Sequence, residues 1–235
     1  MKILIVSGFL GAGKTTFIKR LARNVDQRFA ILENEYGAAG IDGARLGQNR
    51  QGTQKNVWEM TEQCICCIGK KDFAASVLTI ANVVDPEYLI VEPTGVGSLA
   101  RIIENLRQIE YERIQLLSPV TIVDVYSYRR YMAEYPELYQ DQIRSADTII
   151  VSKTEACQAE EKQRIQKFLQ EINSQAKIIT DYASTMTRED YQSLLLGGRY
   201  EKKVQDTQSG EKMPETFSFE NIRMEAPETL WCFLE

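Results

Sequence analysis

Gly8-Phe9-Leu10-Gly11-Ala12-Gly13-Lys14-Thr15 decides the fold. The stretch fits the spacing G-x-x-x-x-G-K-[ST], and its context gives that spacing meaning: an apolar run at 2–7 precedes it and a helix-patterned stretch at 14–24 follows. In a strand, glycine-rich turn and helix of this kind, backbone N–H groups close around phosphate oxygens, and the helix turns its positive end toward them. Gly11, Ala12 and Gly13 are expected to supply that backbone. Lys14 is expected to bridge the β- and γ-phosphates as a point charge, the Thr15 hydroxyl to ligate Mg²⁺, and Thr16 to reach the α-phosphate. This much predicts a nucleoside triphosphate without choosing its base.

Outward from the turn, short apolar segments alternate with longer amphipathic ones. Residues 2–7, 28–33, 87–92, 118–124, 147–153 and 176–180 are rich in Ile, Leu and Val and read as buried strands. Residues 14–24, 70–83, 97–108, 126–145 and 156–174 read as helices. Strands joined by crossover helices imply an α/β fold of the P-loop NTPase type, a mostly parallel sheet with helices on both faces. Between 33 and 60 the chain is rich in Gly, Gln and Asn and lacks periodicity until NVWEM, the mark of a functional or mobile loop. The expected organisation is a nucleotide-binding domain at 1–196, a linker at 197–214, and at 215–235 the start of a truncated α+β C-terminal domain or a docking tail.

At 235 residues the chain can bury a sizeable core without disulfides. It contains no apolar run long enough to span a bilayer. A net charge of -5, with no basic stripe interleaved with aromatics, argues against nucleic acid as the main partner. The N-terminal apolar run lacks a small-residue cleavage site and flows into the glycine-rich turn, so it reads as a first strand and the expected compartment is the cytoplasm. Clustered thiols in a reducing compartment are more often metal ligands or catalytic groups than structural disulfides.

Three further elements carry chemistry. In YLIVEPTGVG, Glu92 ends an apolar strand, where a carboxylate can hold Mg²⁺ and orient an attacking water, and Gly95 would let its N–H approach the γ-phosphate. The competing reading makes Glu92 a cap of the next helix. In IIVSKTE, a buried Glu155 carboxylate offers only acceptors and so suits the N1–H and N2–H of guanine, while Lys153 can lay its stem over the base. A helix N-terminus with Ser152 or Thr154 as cap and Glu155 in its first turn accounts for the same residues equally well. In EQCICC, the thiolates of Cys64, Cys66 and Cys67 could hold Zn²⁺, Cu⁺ or Co²⁺ with one position open, and Glu33 is the nearest candidate oxygen. A reducible, strained disulfide and simple apolar packing are the alternatives.

GFLGAGKTT, ENEYG, CICC, EPTG, TIVD, DQIRSAD and SKTE, in this order, resemble the CobW/HypB/UreG group of P-loop GTPases, and its CobW-like branch in particular, over about residues 2–182. The resemblance implies GTP hydrolysis coupled to delivery of a metal ion or metallocofactor, cysteines that bind Zn²⁺ or a related ion, a client metalloprotein or cofactor enzyme, and a possible homodimer. It assigns Lys14, Glu92 and Gly95 to the catalytic machinery, the last two within a Glu-x-x-Gly switch. The family's base loop is normally Asn-Lys-x-Asp. Here Ser152 and Glu155 replace its ends, so GTP is expected over ATP with weakened discrimination, and residues 180–183 are expected to close over the base. Gln63 stands where the family has glycine before the cysteines, and no histidine-rich tract is present. The working expectation is that GTP–Mg²⁺ orders the 33–60 loop and hydrolysis releases it, so that metal affinity follows nucleotide state. A metal-sensing or scaffold protein with little turnover is the rival; an ATP-dependent kinase on the same scaffold lacks an evident acceptor site.

Overall fold

The computed structural model describes residues 1–27, 29–33, 57–61 and 70–201, with backbone alone at 33, 57–61 and 70–73. In chain order these form β1 (Lys2–Gly8), α1 (Lys14–Asn24), β2 (Phe29–Glu33), β3 (Val57–Thr61), α2 (Lys70–Val83), β4 (Tyr88–Glu92), α3 (Leu99–Arg107), β5 (Gln115–Leu116), β6 (Val120–Asp124), α4 (Tyr128–Glu134), α5 (Pro136–Arg144), β7 (Thr148–Ser152), α6 (Ala159–Ile172), β8 (Lys177–Ile179), α7 (Tyr182–Thr185) and α8 (Arg188–Leu196). The strands join in the order β3-β2-β4-β1-β6-β7-β8, all parallel. One edge of β1 is covered in two pieces, by β5 at Lys2 and Ile3 and by β6 from Val6 to Gly8. Pro119, which has no N–H to give a ladder, falls in the gap.

A parallel sheet needs apolar cover on both faces, and the Ile/Leu/Val runs provide it. Ile3 and Ile5 pack with Leu89, Val91, Ile103 and Leu106 under α2 and α3. Leu4 and Val6, pointing the other way, meet Phe17, Ile18 and Leu21 of α1 and Leu195 of α8. On the first face α4, α5 and α6 extend the cover over β6 and β7 through Val123, Ile143, Ile149, Ile165 and Leu169. The α/β architecture is therefore the one the alternation predicts.

The differences have local causes. The helix expected over 126–145 is two, broken at Tyr135 (φ -137°, ψ 58°), because a residue before proline is pushed out of the α region by the ring of Pro136. α6 begins at Ala159 behind Gln158, not at 156. β3 appears within the stretch of weak periodicity, as the edge strand beside β2. Past Gly197 the chain stays on the domain as far as Tyr200, whose buried ring is fixed by Tyr200 N–H to Leu116 O at 2.8 Å and Tyr200 O–H to Ser145 O at 3.2 Å. The remainder of the expected linker, and the 215–235 segment, lie outside the described residues. No helix among the described residues is long and apolar enough to cross a membrane.

This topology sets β1 between β4 and β6, so that Gly8, Glu92, Asp124 and Ser152 all end their strands at one edge of the sheet. Such an edge is where open α/β sheets bind ligands.

Candidate functional site

The turn at 8–15 closes β1 onto α1. Gly13 is the N-cap of α1 at φ 97°, a left-handed conformation that side chains resist. The turn is tied by Ala12 N–H to Phe9 O at 3.2 Å, and Lys14 Nζ donates to the same carbonyl at 3.3 Å. Lys14 is buried at 8% exposure, and burial lowers its pKa from the usual lysine range, partly offset by the negative charge of Glu92. Phe9 itself is clasped by aromatic rings from beyond β6: Tyr131 and Tyr139 at 4.2 and 5.7 Å between centroids. The Tyr131 hydroxyl also donates to Leu10 O at 3.1 Å.

Glu92 and Thr15 come together across the sheet edge, with Thr15 Oγ1 donating to Glu92 Oε1 at 2.8 Å. Hydroxyl and carboxylate oxygens are the donor set Mg²⁺ takes. The capping alternative for Glu92 does not hold, since α3 is capped by Ser98, whose Oγ accepts from Arg101 N–H at 3.2 Å. Gly95 lies against the glycine-rich turn so closely that an added Cβ would fall 2.5 Å from Leu10 N. The Glu-x-x-Gly segment and the phosphate turn are thus in backbone contact.

The loop after β7, where base recognition is expected, divides into an inner and an outer half. Ser152 is buried, and its Oγ donates to Ala12 O at 2.6 Å, bracing the phosphate turn from β7. Lys153 takes φ 60°, and its Nζ pairs with Asp124 Oδ2 at 2.7 Å; Asp124 Oδ1 in turn accepts from Tyr126 N–H at 2.8 Å. Thr154 is buried, while Glu155 is exposed, contrary to the buried carboxylate expected there. The helix-start alternative also falls, because α6 opens only at Ala159 and Cys157 N–H bonds back to Thr154 O at 3.1 Å in a turn. Residues 180–183 do reach this loop. Asp181, at φ 57°, accepts from Lys162 Nζ at 2.6 Å, a contact that, with the Thr154 side chain nearby, holds its pKa below the usual carboxylate range.

Cys64, Cys66, Cys67 and the Glu33 side chain lie outside the described residues. The backbone still bears on them: Glu33 pairs in register with Glu92 on one side and with Thr61 on the other. The chain therefore leaves β3 at the site edge, three residues before Cys64. Among the described residues no group of three or more His, Cys, Asp or Glu is arranged to hold a metal. Two residues given no role by the sequence reading also enter the site: Asp124, which anchors Lys153, and Gln142 on α5, which bonds the turn after β4. TIVD and DQIRSAD carried the only signal for them.

A phosphate turn between the central strand β1 and α1, with an acid from the neighbouring strand on the first threonine of that helix, makes this a P-loop nucleotide-binding domain. The family model for the CobW/HypB/UreG nucleotide-binding domain matches residues 2–180, and the chain belongs to that family. The zinc chaperone YeiR of Escherichia coli is 30% identical over 178 residues, covering 74% of this chain and 53% of its own. The zinc chaperone CobW of Pseudomonas aeruginosa is 27% identical over 209 residues, covering 76% of this chain and 56% of its own. The chain thus spans about half the length of the curated relatives it matches. In fold it is similar to the crystal structure of Zn(II)-bound YjiA GTPase from E. coli, with a TM-score of 0.63 at 21% identity over 90% of this chain and 67% of that one.

Proposed function

We propose that this chain binds and hydrolyses GTP and couples its nucleotide state to the binding and delivery of a metal ion, with zinc as the first candidate. The observation that carries the reading is the 2.8 Å hydrogen bond from Thr15 to Glu92, which ties the phosphate helix to the switch strand at the point where Mg²⁺–triphosphate would sit. Backbone from Gly11 to Gly13 cradles the phosphates, Lys14 compensates their charge, and Thr15 and Thr16 contact the metal and the α-phosphate. Glu92 orients water for attack, with Gly95 N–H toward the γ-phosphate. When bound, Mg²⁺ supplies charge neutralisation on the β- and γ-phosphate oxygens. Ser152, Lys153 and Glu155 form the base loop, and the exposure of Glu155 supports a guanine preference weaker than a buried carboxylate would give.

The cargo site is assigned to Cys64, Cys66 and Cys67 with Glu33. The zinc-chaperone names of the relatives and the position of Glu33 beside Glu92 in the sheet support this. A metal held there would be linked to nucleotide through one edge of the sheet, and by reciprocity each ligand would alter the affinity of the other by the same factor. Transfer to a client metalloprotein in the cytoplasm, with dimerisation as an accompanying step, completes the proposal; turnover is expected to be slow until the client docks. The test is a titration of GTP, GDP and ATP with and without Zn²⁺, on the wild-type protein and on Cys66→Ala. GTP should bind more tightly than ATP, and Zn²⁺ affinity should differ between GDP and a non-hydrolysable GTP analogue and fall in Cys66→Ala. Equal Zn²⁺ affinity in the two nucleotide states refutes the coupling, and equal GTP and ATP affinities refute the base preference.

A further inference from the structure

Within about one turn, α5 reaches three separate parts of the nucleotide site. Tyr139 sets its ring edge-on to Phe9 of the phosphate turn, 5.7 Å between centroids. Asp141 accepts from Ala100 N–H at the start of α3 at 3.4 Å. Gln142, only 1% exposed, sends Nε2 to two carbonyls of the turn after β4, Gly95 O at 3.0 Å and Gly97 O at 2.9 Å. The helix is itself fastened to the sheet at this residue, because the Thr121 hydroxyl donates to Gln142 O at 2.8 Å. A side chain on an anchored helix thus holds the turn that Gly95 lays against Leu10.

The amide is used unevenly. Nε2 serves two carbonyls of the turn, while Oε1 is buried with no hydrogen-bond partner among the described residues. A buried acceptor left unpaired is costly, and a residue that merely filled this space would avoid that cost by being apolar. The arrangement suits a side chain held for its two donors.

We propose that Gln142 is a positioning residue for nucleotide hydrolysis, pinning the 95–97 turn to α5 and so holding it where Gly95 meets the phosphate turn and its backbone faces the γ-phosphate. The proposal rests on the GTPase reading above. GDP lacks the γ-phosphate, so GDP binding does not depend on the pin, whereas turnover does. Displacing such a turn by about 1 Å is enough to lower a rate by about 10²-fold, and loss of two buried donors gives at least about tenfold.

The experiment compares wild-type protein with Gln142→Met, which keeps the volume and removes both donors, and Gln142→Glu, which turns an acceptor toward both carbonyls. GTP turnover, KM, and affinities for GDP and a non-hydrolysable GTP analogue are measured at a temperature where each variant is folded. The expected result is a fall in kcat of about tenfold or more, with GDP affinity within about twofold of wild type and a lower ratio of analogue to GDP affinity, which KM follows. Unchanged kcat with a lowered Tm overturns the proposal and leaves Gln142 a structural residue. Should neither variant fold, Gln142→Asn, which keeps the amide but draws it back by one methylene, must show the same split; an equal loss of GDP affinity and turnover overturns it. Wild-type protein that does not hydrolyse GTP refutes the GTPase reading instead, and Gln142 is then judged by the analogue-to-GDP affinity ratio, which needs no turnover.

Discussion

Replacing Gly95 by alanine adds one methyl group, and the structure says where it goes. The new Cβ would stand 2.5 Å from Leu10 N and 2.9 Å from Leu10 Cα, both backbone atoms of the phosphate turn. Neither can swing aside as a flexible side chain would. Restoring an ordinary contact requires the two loops to part by about 1 Å, and overpacking of this kind costs about 1–3 kcal/mol. In a domain of this size about 2 kcal/mol corresponds to a Tm lowered by about 4–8 °C. The effect on chemistry should be larger, since a displacement of about 1 Å between reacting groups can lower a rate by about 10²-fold. Gly97→Ala is the matched comparison: its Cβ would be 3.3 Å from Thr94 O and 3.5 Å from Ile102 Cδ1, a crowding that shifts of a few tenths of an ångström relieve. Single-turnover GTP hydrolysis and thermal melts of both variants check the reasoning. Gly95→Ala is expected to lose about 10²-fold in rate with GDP affinity nearly retained, and Gly97→Ala less than about tenfold. A Gly95→Ala protein with wild-type turnover and melting temperature, or a Gly97→Ala protein that is the more damaged of the two, would refute the close approach of the turns.

Two further outcomes follow from the phosphate turn and its brace. Ser152→Ala removes the donor to Ala12 O and should lower Tm by about 2–4 °C while weakening GTP, GDP and ATP alike by a few-fold, since the lost contact is to the turn and not to the base; fluorescence titration that finds a changed GTP-to-ATP ratio at unchanged Tm would contradict this. Lys14→Met should raise the Tm of nucleotide-free protein by a few degrees at pH 7 and weaken GTP by about 10–100-fold. The sign follows from the depressed pKa of Lys14: below its folded value the ammonium is charged in both states and its burial opposes folding, so wild-type stability rises as pH climbs through that value toward the ordinary lysine value of 10.5. The advantage of the methionine variant over wild type should therefore shrink in melts at increasing pH, and an advantage that grows with pH would overturn the assignment.

The strands that bury both faces were the most legible part of the molecule, because each is an uninterrupted apolar run with no rival period; 2–7, 87–92 and 147–153 match β1, β4 and β7 within a residue. Helix ends were less so. Pro136 was visible in the sequence, yet the amphipathic pattern runs through it, and only the backbone of Tyr135 shows that the ring ends one helix and begins another. The phosphate turn was legible because its chemistry depends on residues close in sequence. The contacts that complete the site join residues such as Thr15 and Glu92, Ala12 and Ser152, or Gly95 and Gln142, and spacing alone carries no record of which distant residues meet. Glu155 shows the limit most clearly: its position three residues past the end of a buried strand suited a buried acceptor, but the turn after Ser152 directs Thr154 inward and leaves Glu155 in solvent.

The serine at position 152 reads differently once the loops are seen together. An asparagine there would offer an amide, where serine offers only a short hydroxyl. The hydroxyl nevertheless reaches the phosphate turn, and it can do so because the turn comes close: a Cβ built on Gly13 would already be in van der Waals contact with Ser152, 3.9 Å from its Cβ. The two departures in the base loop are therefore unequal. On the proposed reading, Ser152 keeps a donor on the phosphate turn and would preserve the geometry a triphosphate needs, whereas Glu155, exposed and one methylene longer than aspartate, would be left to choose between guanine and adenine. A shift in base preference should follow substitution at 155 and not at 152. Glu155→Asp is accordingly the variant expected to sharpen GTP over ATP, and Glu155→Ala the one expected to level them, in the same titrations that leave Ser152→Ala with its wild-type ratio.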